Sequence, residues 1–72
     1  MRHPQIHELL AANIRTQRTH AHLSQAQLAE LSGVDRKTIN RIETARISAR
    51  MDVLAAIAEA LNTTVEELIS TD

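Results

Sequence analysis

The chain has 72 residues, a net charge of −1, no Cys, Phe, Tyr or Trp, and a single Gly and Pro. These facts exclude a disulfide or thiolate-metal scaffold, leave little turn chemistry for a β fold, and, with no apolar run approaching the ~18 residues of a membrane helix, exclude a spanning segment. What is expected is one small domain over 1–72, all-α, cytoplasmic and without a signal peptide, its core built from Leu, Ile, Val, Met and Ala and burying only roughly 60% of the unfolded surface.

Pro4 suits a first helical turn, where its missing N–H is no loss. Ile6, Leu9, Leu10 and Ile14 then recur at helical spacing, predicting a first helix to about Thr19. After a connector from His20 to Leu23, Ser24 with Gln27 forms a capping-box pattern that opens a second helix over about Gln25 to Leu31. Ser32, Gly33 and Val34 make a tight turn, and Asp35 can cap a third helix that ends near Thr44. Ser48 is the expected cap of a fourth helix, whose apolar stripe is Met51, Leu54, Ile57, Ala58 and Leu61, with Asn62 as its stop. Thr64 and Glu67 form a second capping-box pattern before a short fifth helix, about Val65 to Ser70.

A net charge near zero argues against nucleic acid until its distribution is examined. All eight basic residues (Arg2, Arg15, Arg18, Arg36, Lys37, Arg41, Arg46, Arg50) lie in the first 50 positions, with four acids (Glu8, Glu30, Asp35, Glu43), a balance of +4. The last 22 residues hold five acids (Asp52, Glu59, Glu66, Glu67, Asp72) and no Lys or Arg, a balance of −5. One end of such a molecule can meet phosphate while the other points away.

The third helix concentrates this asymmetry. At about 100° per residue from Arg36, Asn40 falls near 40°, Thr44 near 80°, Lys37 near 100° and Arg41 near 140°, while Ile39 and Ile42 fall near 300° and 240°. An ordinary solvated face would also be polar, but this one carries no acid and three of the eight basic residues. Arg and Lys can reach guanine O6 and N7, and Asn prefers adenine.

Ahead of it, Gln25, Ala29 and Gly33 are spaced four apart and followed by Val34, Ile39 and Ile42. Two helices crossing steeply through a three- to four-residue turn need a small residue at their closest approach, here Ala29, and a residue tolerant of positive φ after the first helix, here Gly33.

From Asn13 to about Ile69 the chain resembles the Cro/C1-type (Xre-like) helix-turn-helix family of phage and bacterial regulators. The resemblance is carried by Ile14-Arg15, Leu23-Ser24-Gln25, Leu28-Ala29-Glu30, Gly33-Val34, Thr38-Ile39, Arg41-Ile42-Glu43, Leu54, Ala58 and Leu61. It implies a five-helix, lambda-repressor-like DNA-binding domain with the helix-turn-helix at helices 2 and 3. It further implies that Arg36, Lys37 and Arg41 face base edges. Gln25 would contact a phosphate and brace the recognition helix, and Asn40 and Thr38 would serve phosphates or neighbouring bases. With the wheel, Arg36, Lys37, Asn40 and Arg41 are the expected base readers, and Ser24, Gln25, Thr38, Thr44 and Arg46 the backbone or support group. The family's helix 1 to helix 3 ion pair maps onto Arg18 and Glu43. Four positions depart from the pattern: His22 and Ala45 stand where Gly is common, Ala49 where Pro is frequent, and Gln17 where an apolar residue is frequent. The two missing glycines imply either strained turns at His22 or Ala45 or an extended helix 3.

The remaining motifs point to no chemistry. His3 and His7 share a helical spacing, and His20 and His22 flank a turn, but no acid or Cys completes a metal-ligand set. Glu66-Glu67 reads as an acidic pair on a capped helix, and there is no phosphate loop or nucleophile–base pattern. The chain is therefore expected to be a non-enzyme with no cofactor or metal. One recognition helix reads only a few base pairs, so a two-fold homodimer on near-palindromic double-stranded DNA is expected, as a repressor or autoregulator. Ile47, Val65, Leu68 and Ile69 are its candidate interface, unless they complete the monomer core. A phage repressor, a restriction–modification controller and an antitoxin autoregulator all remain open. So does a protein-interaction module that binds a toxin or enzyme through its C-terminal helices; polymerase is the protein partner if the chain regulates transcription.

Overall fold

A computed structural model describes residues 4–71; Arg2, His3 and Asp72 lie outside the described residues. Within them the chain forms α1 (Pro4–His20), α2 (Gln25–Ser32), α3 (Arg36–Glu43), α4 (Met51–Ala60) and α5 (Val65–Leu68), with no strand. α1 packs on α3 and α5, α2 on α3 and α4, and α4 on α5.

α2, α3 and α5 each start where a cap residue dictates, and α4 does not. Ser24 Oγ accepts from the Gln27 N–H at 3.0 Å while Gln27 Oε1 accepts from the Ser24 N–H at 2.8 Å, closing the capping box of α2. Asp35 accepts from the Lys37 N–H at 3.0 Å, and Thr64 Oγ1 from the Glu67 N–H at 3.2 Å. Ser48 does not cap α4: Arg50 occupies that position without a side-chain cap bond, and Ser48 Oγ instead meets His7 Nε2 at 3.0 Å, tying α1 to the loop after α3.

Gly33 sits in the left-handed region at φ 74°, its N–H donating to the Ala29 carbonyl at 2.9 Å. A Cβ there would meet nothing within 4 Å, so the turn requires the backbone angle of glycine and not its small size. α1, α3 and α4 end the same way without glycine, at His22 (φ 59°), Ala45 (φ 58°) and Asn62 (φ 57°). In each the next N–H reaches back five residues: Leu23 to the Arg18 carbonyl, Arg46 to that of Arg41, Thr63 to that of Ala58. The turns usual with glycine are thus kept at the cost of strain, and α3 is not extended. Asn tolerates this conformation; His and Ala pay about 1–2 kcal/mol for it. Glycine also loses more chain entropy on folding, so Ala45→Gly and His22→Gly are each expected to stabilise the domain by a net of about 0.5–1 kcal/mol, additively, as read from urea midpoints.

The core is Leu10, Ile14, Leu28, Ile39, Ile42, Leu54, Ile57, Ala58, Leu61 and Leu68, with Ala29 and Val34 half-buried against it. The predicted stripes are right in their centres and overrun at their ends. Ile6 is 51% and Met51 68% exposed, because each lies in the first turn of its helix, beyond the reach of a facing element. α5 closes at Leu68, short of Ser70, where Asn13 Nδ2 donates to the carbonyls of Leu68 (2.8 Å) and Ser70 (2.9 Å) and so terminates it from α1.

Candidate nucleic-acid interface

α3 presents the two faces that its spacing predicts. Ile39 and Ile42 are buried; Arg36, Lys37, Asn40 and Arg41 are exposed, and Thr38 is half-buried. With Gln25 from α2 and Arg46 from the following loop, the four exposed residues line an open concavity of about 230 Å³. Four of its six lining side chains are cationic and none is acidic. Arg46 reaches this rim because the turn at Ala45 folds the chain back against α3, with the Arg46 N–H on the Arg41 carbonyl at 2.8 Å.

Behind the concavity lies a polar support. Glu43 is 1% exposed and receives a two-pronged bond from Arg18, Nε to Oε2 at 2.7 Å and the terminal nitrogen to Oε1 at 3.0 Å. Arg18 also donates to the Leu23 carbonyl at 2.8 Å, and Arg15 to the main-chain carbonyl of Glu43. The hydrogen bonds that Arg18 donates to the Glu43 carboxylate raise its guanidinium above its ordinary value, against the lowering by burial. A raised cation stabilises at every pH below its unfolded value, so Arg18 confers no pH dependence in the ordinary range. No described buried side-chain nitrogen or oxygen lacks a partner.

Two support residues bond differently from the simplest expectation. Gln25 Nε2 donates to Glu43 Oε1 at 3.1 Å, and its Oε1 accepts from Asn40 Nδ2 at 3.2 Å. The Thr44 hydroxyl donates within its own helix, to the carbonyls of Asn40 (2.9 Å) and Arg41 (3.2 Å), so it offers a phosphate no proton in this arrangement. Ser24 Oγ accepts in its cap and keeps its proton. The bonds made by Arg15, by Asn13 and between His7 and Ser48 were not foreseen from the sequence; all three engage backbone or loop atoms across long sequence separations, which no local pattern marks.

The proposed interface group is split. Leu68 is fully buried in the monomer core and has no surface to give a second chain, which removes it from that group. Val65 is half-buried against the same core, while Ile47 (38%) and Ile69 (46%) remain exposed.

Residues 14–68 match the model of the family described as helix-turn-helix. The chain belongs to the Cro/C1-type helix-turn-helix family. Its members are DNA-binding transcription regulators, not enzymes. Control protein C.SmaI of Serratia marcescens is 42% identical over 65 residues, 90% of this chain and 77% of that protein. An uncharacterized HTH-type transcriptional regulator of Mycobacterium tuberculosis is 44% identical over 55 residues, 76% of this chain but 39% of that longer protein. The crystal structure of the restriction-modification controller protein C.AhdI from Aeromonas hydrophila superposes with a TM-score of 0.83 at 31% identity, covering 86% of this chain and 94% of that one. A helix-turn-helix regulator from Vibrio cholerae, at 23% identity and a TM-score of 0.89, covers 96% of this chain and 39% of its own, and shows the shared fold. No helix among the described residues is long and apolar enough to cross a membrane.

Proposed function

We propose that this regulator binds a near-palindromic operator as a homodimer, reads it with Arg36, Lys37, Asn40 and Arg41, and controls a restriction–modification operon that includes its own gene. The observation that carries the DNA reading is the acid-free concavity on the outer face of α3, cationic at Arg36, Lys37, Arg41 and Arg46. The kind of operon is supported by similarity to the two controllers, one of which is 42% identical across most of both chains.

In this reading α3 lies in the major groove, with arginine donors matched to guanine O6 and N7. The N-terminus of α2, with the free proton of Ser24, faces a phosphate. Two copies place their α3 helices about 34 Å apart on one face of the duplex. The acidic segment from Asp52 onward lies away from the phosphates. An occupied operator overlapping its own promoter represses by excluding polymerase.

Titration of a duplex carrying the promoter of the chain's own operon tests the binding. Affinity is expected to fall with salt at a log–log slope near −0.9 per phosphate contacted; a flat dependence would instead favour a protein-interaction module. Ile69→Glu tests the dimer. Ile69 is 46% exposed, so the monomer fold should survive, the melting temperature falling only by the lost dimer linkage, while equilibrium sedimentation shifts from dimer to monomer. A wild type that sediments as a monomer and binds DNA singly would contradict the two-fold arrangement.

A further inference from the structure

Four side chains run in line from the interior to the DNA face: Arg18, Glu43, Gln25 and Asn40. We propose that this line locks the amide of Asn40 in one orientation and thereby makes Gln25 a specificity-determining positioning residue for the base that Asn40 reads. The proposal rests on the reading of α3 as the major-groove helix.

At the buried end of this line no ambiguity of donor and acceptor exists. A guanidinium only donates and a carboxylate only accepts. Arg18 grips both oxygens of Glu43, and Glu43, 1% exposed, has no room to turn. Gln25 must therefore aim its Nε2, not its oxygen, at Glu43 Oε1, 3.1 Å away. That choice turns Gln25 Oε1 towards Asn40, where only a donor is tolerated, and Asn40 Nδ2 lies there at 3.2 Å. The polarity set by the ion pair is thus passed through two amides, whose nitrogen and oxygen ends would otherwise exchange places at little cost.

For Asn40 the consequence is chemical. One Nδ2 proton is committed to Gln25; Oδ1 and the second proton remain for a ligand. That pair is the edge that adenine matches, N6–H donating to Oδ1 and N7 accepting from Nδ2. Held in one orientation, Asn40 presents this edge without first losing rotamer freedom, and it turns an acceptor towards the position where guanine and thymine place a carbonyl oxygen. Released from Gln25, the amide can flip and meet amine or carbonyl bases alike.

Selection from a random-sequence duplex pool, run in parallel on the wild type and three variants, tests the proposal. Asn40→Ala identifies the base position that depends on Asn40. Gln25→Met keeps the volume but cuts both bonds, and Gln25→Ala cuts them independently. In the wild type adenine is expected to be favoured roughly tenfold or more at the Asn40 position. Both Gln25 variants should lose most of that preference there while enrichment at the positions read by Arg36 and Arg41 persists. If Gln25→Met and Gln25→Ala weaken binding to all sequences alike and keep the adenine preference, Gln25 is a phosphate contact only and the proposal is overturned. If Asn40→Ala changes no position, Asn40 reads no base and the proposal also fails. If even the wild type enriches nothing, it is the major-groove reading itself that falls.

Discussion

Arg18→Ala is expected to cost about 3–5 kcal/mol of folding free energy, because it strands a buried carboxylate. Glu43 is 1% exposed, and the donor left to its side chain would be Gln25. A domain of this length holds only roughly 4–11 kcal/mol in total, so the urea midpoint should collapse and part of the population should unfold without denaturant. Glu43→Ala is expected to cost less, since the Arg18 side chain is 18% exposed and can turn its charge to water. The double substitution Arg18→Met with Glu43→Leu is expected to return stability to within about 1 kcal/mol of wild type, because it removes both charges from the interior together. Its fold would survive while Gln25 loses its anchor, so adenine preference and stability should separate in this variant. An Arg18→Ala protein as stable as wild type would show that the pair is spectator to the fold.

Arg41→Ala is expected to leave stability nearly unchanged and to cost about 1–3 kcal/mol in binding, relaxing specificity at one base position. The side chain is exposed on the concavity and touches none of the core, so any loss reports contact with DNA. Arg36→Ala should behave likewise at a different position. Arg46→Ala, assigned to the backbone, should weaken all sequences about equally and reduce the salt slope by about one phosphate. Isothermal titration of matched and singly mismatched duplexes separates these outcomes. If Arg36→Ala and Arg41→Ala both bind the native operator as wild type does, α3 does not read its bases.

Much of this was legible in the sequence because it is written locally. The capping box of α2, the Thr64 cap of α5, the glycine turn and the two faces of α3 each depend on residues within one or two helical turns, and these features stand where the spacing puts them; the Glu67 half of the second box does not form. The Arg18–Glu43 pair was reached by family resemblance and not by pattern, since its partners are 25 positions apart. The errors have a common physical source. Ser48 looks like a cap, but His7 from the far end of the chain competes for its hydroxyl. Met51 and Ile6 fit their stripes but lie where no partner helix reaches, and Leu68, on so short a helix, reads equally as core or surface until α1 and α4 are packed against it. The strained turns at His22 and Ala45 could be narrowed to two alternatives from residue type; only the packed α3, held at its C-terminal end by Arg15 and Arg18 of α1, decides between them.

In the proposed complex α3 and its flanks form the DNA surface and the acidic C-terminal segment does not. Titrating the 15N-labelled chain with the operator duplex and following its amide shifts tests this residue by residue. The changes are expected to concentrate at Ser24 and Gln25 and from Arg36 to Arg46, with residues 52–64 nearly still apart from whatever dimer contacts tighten. Shifts centred on α4 and α5, with Arg36 to Arg46 unmoved, would contradict the account.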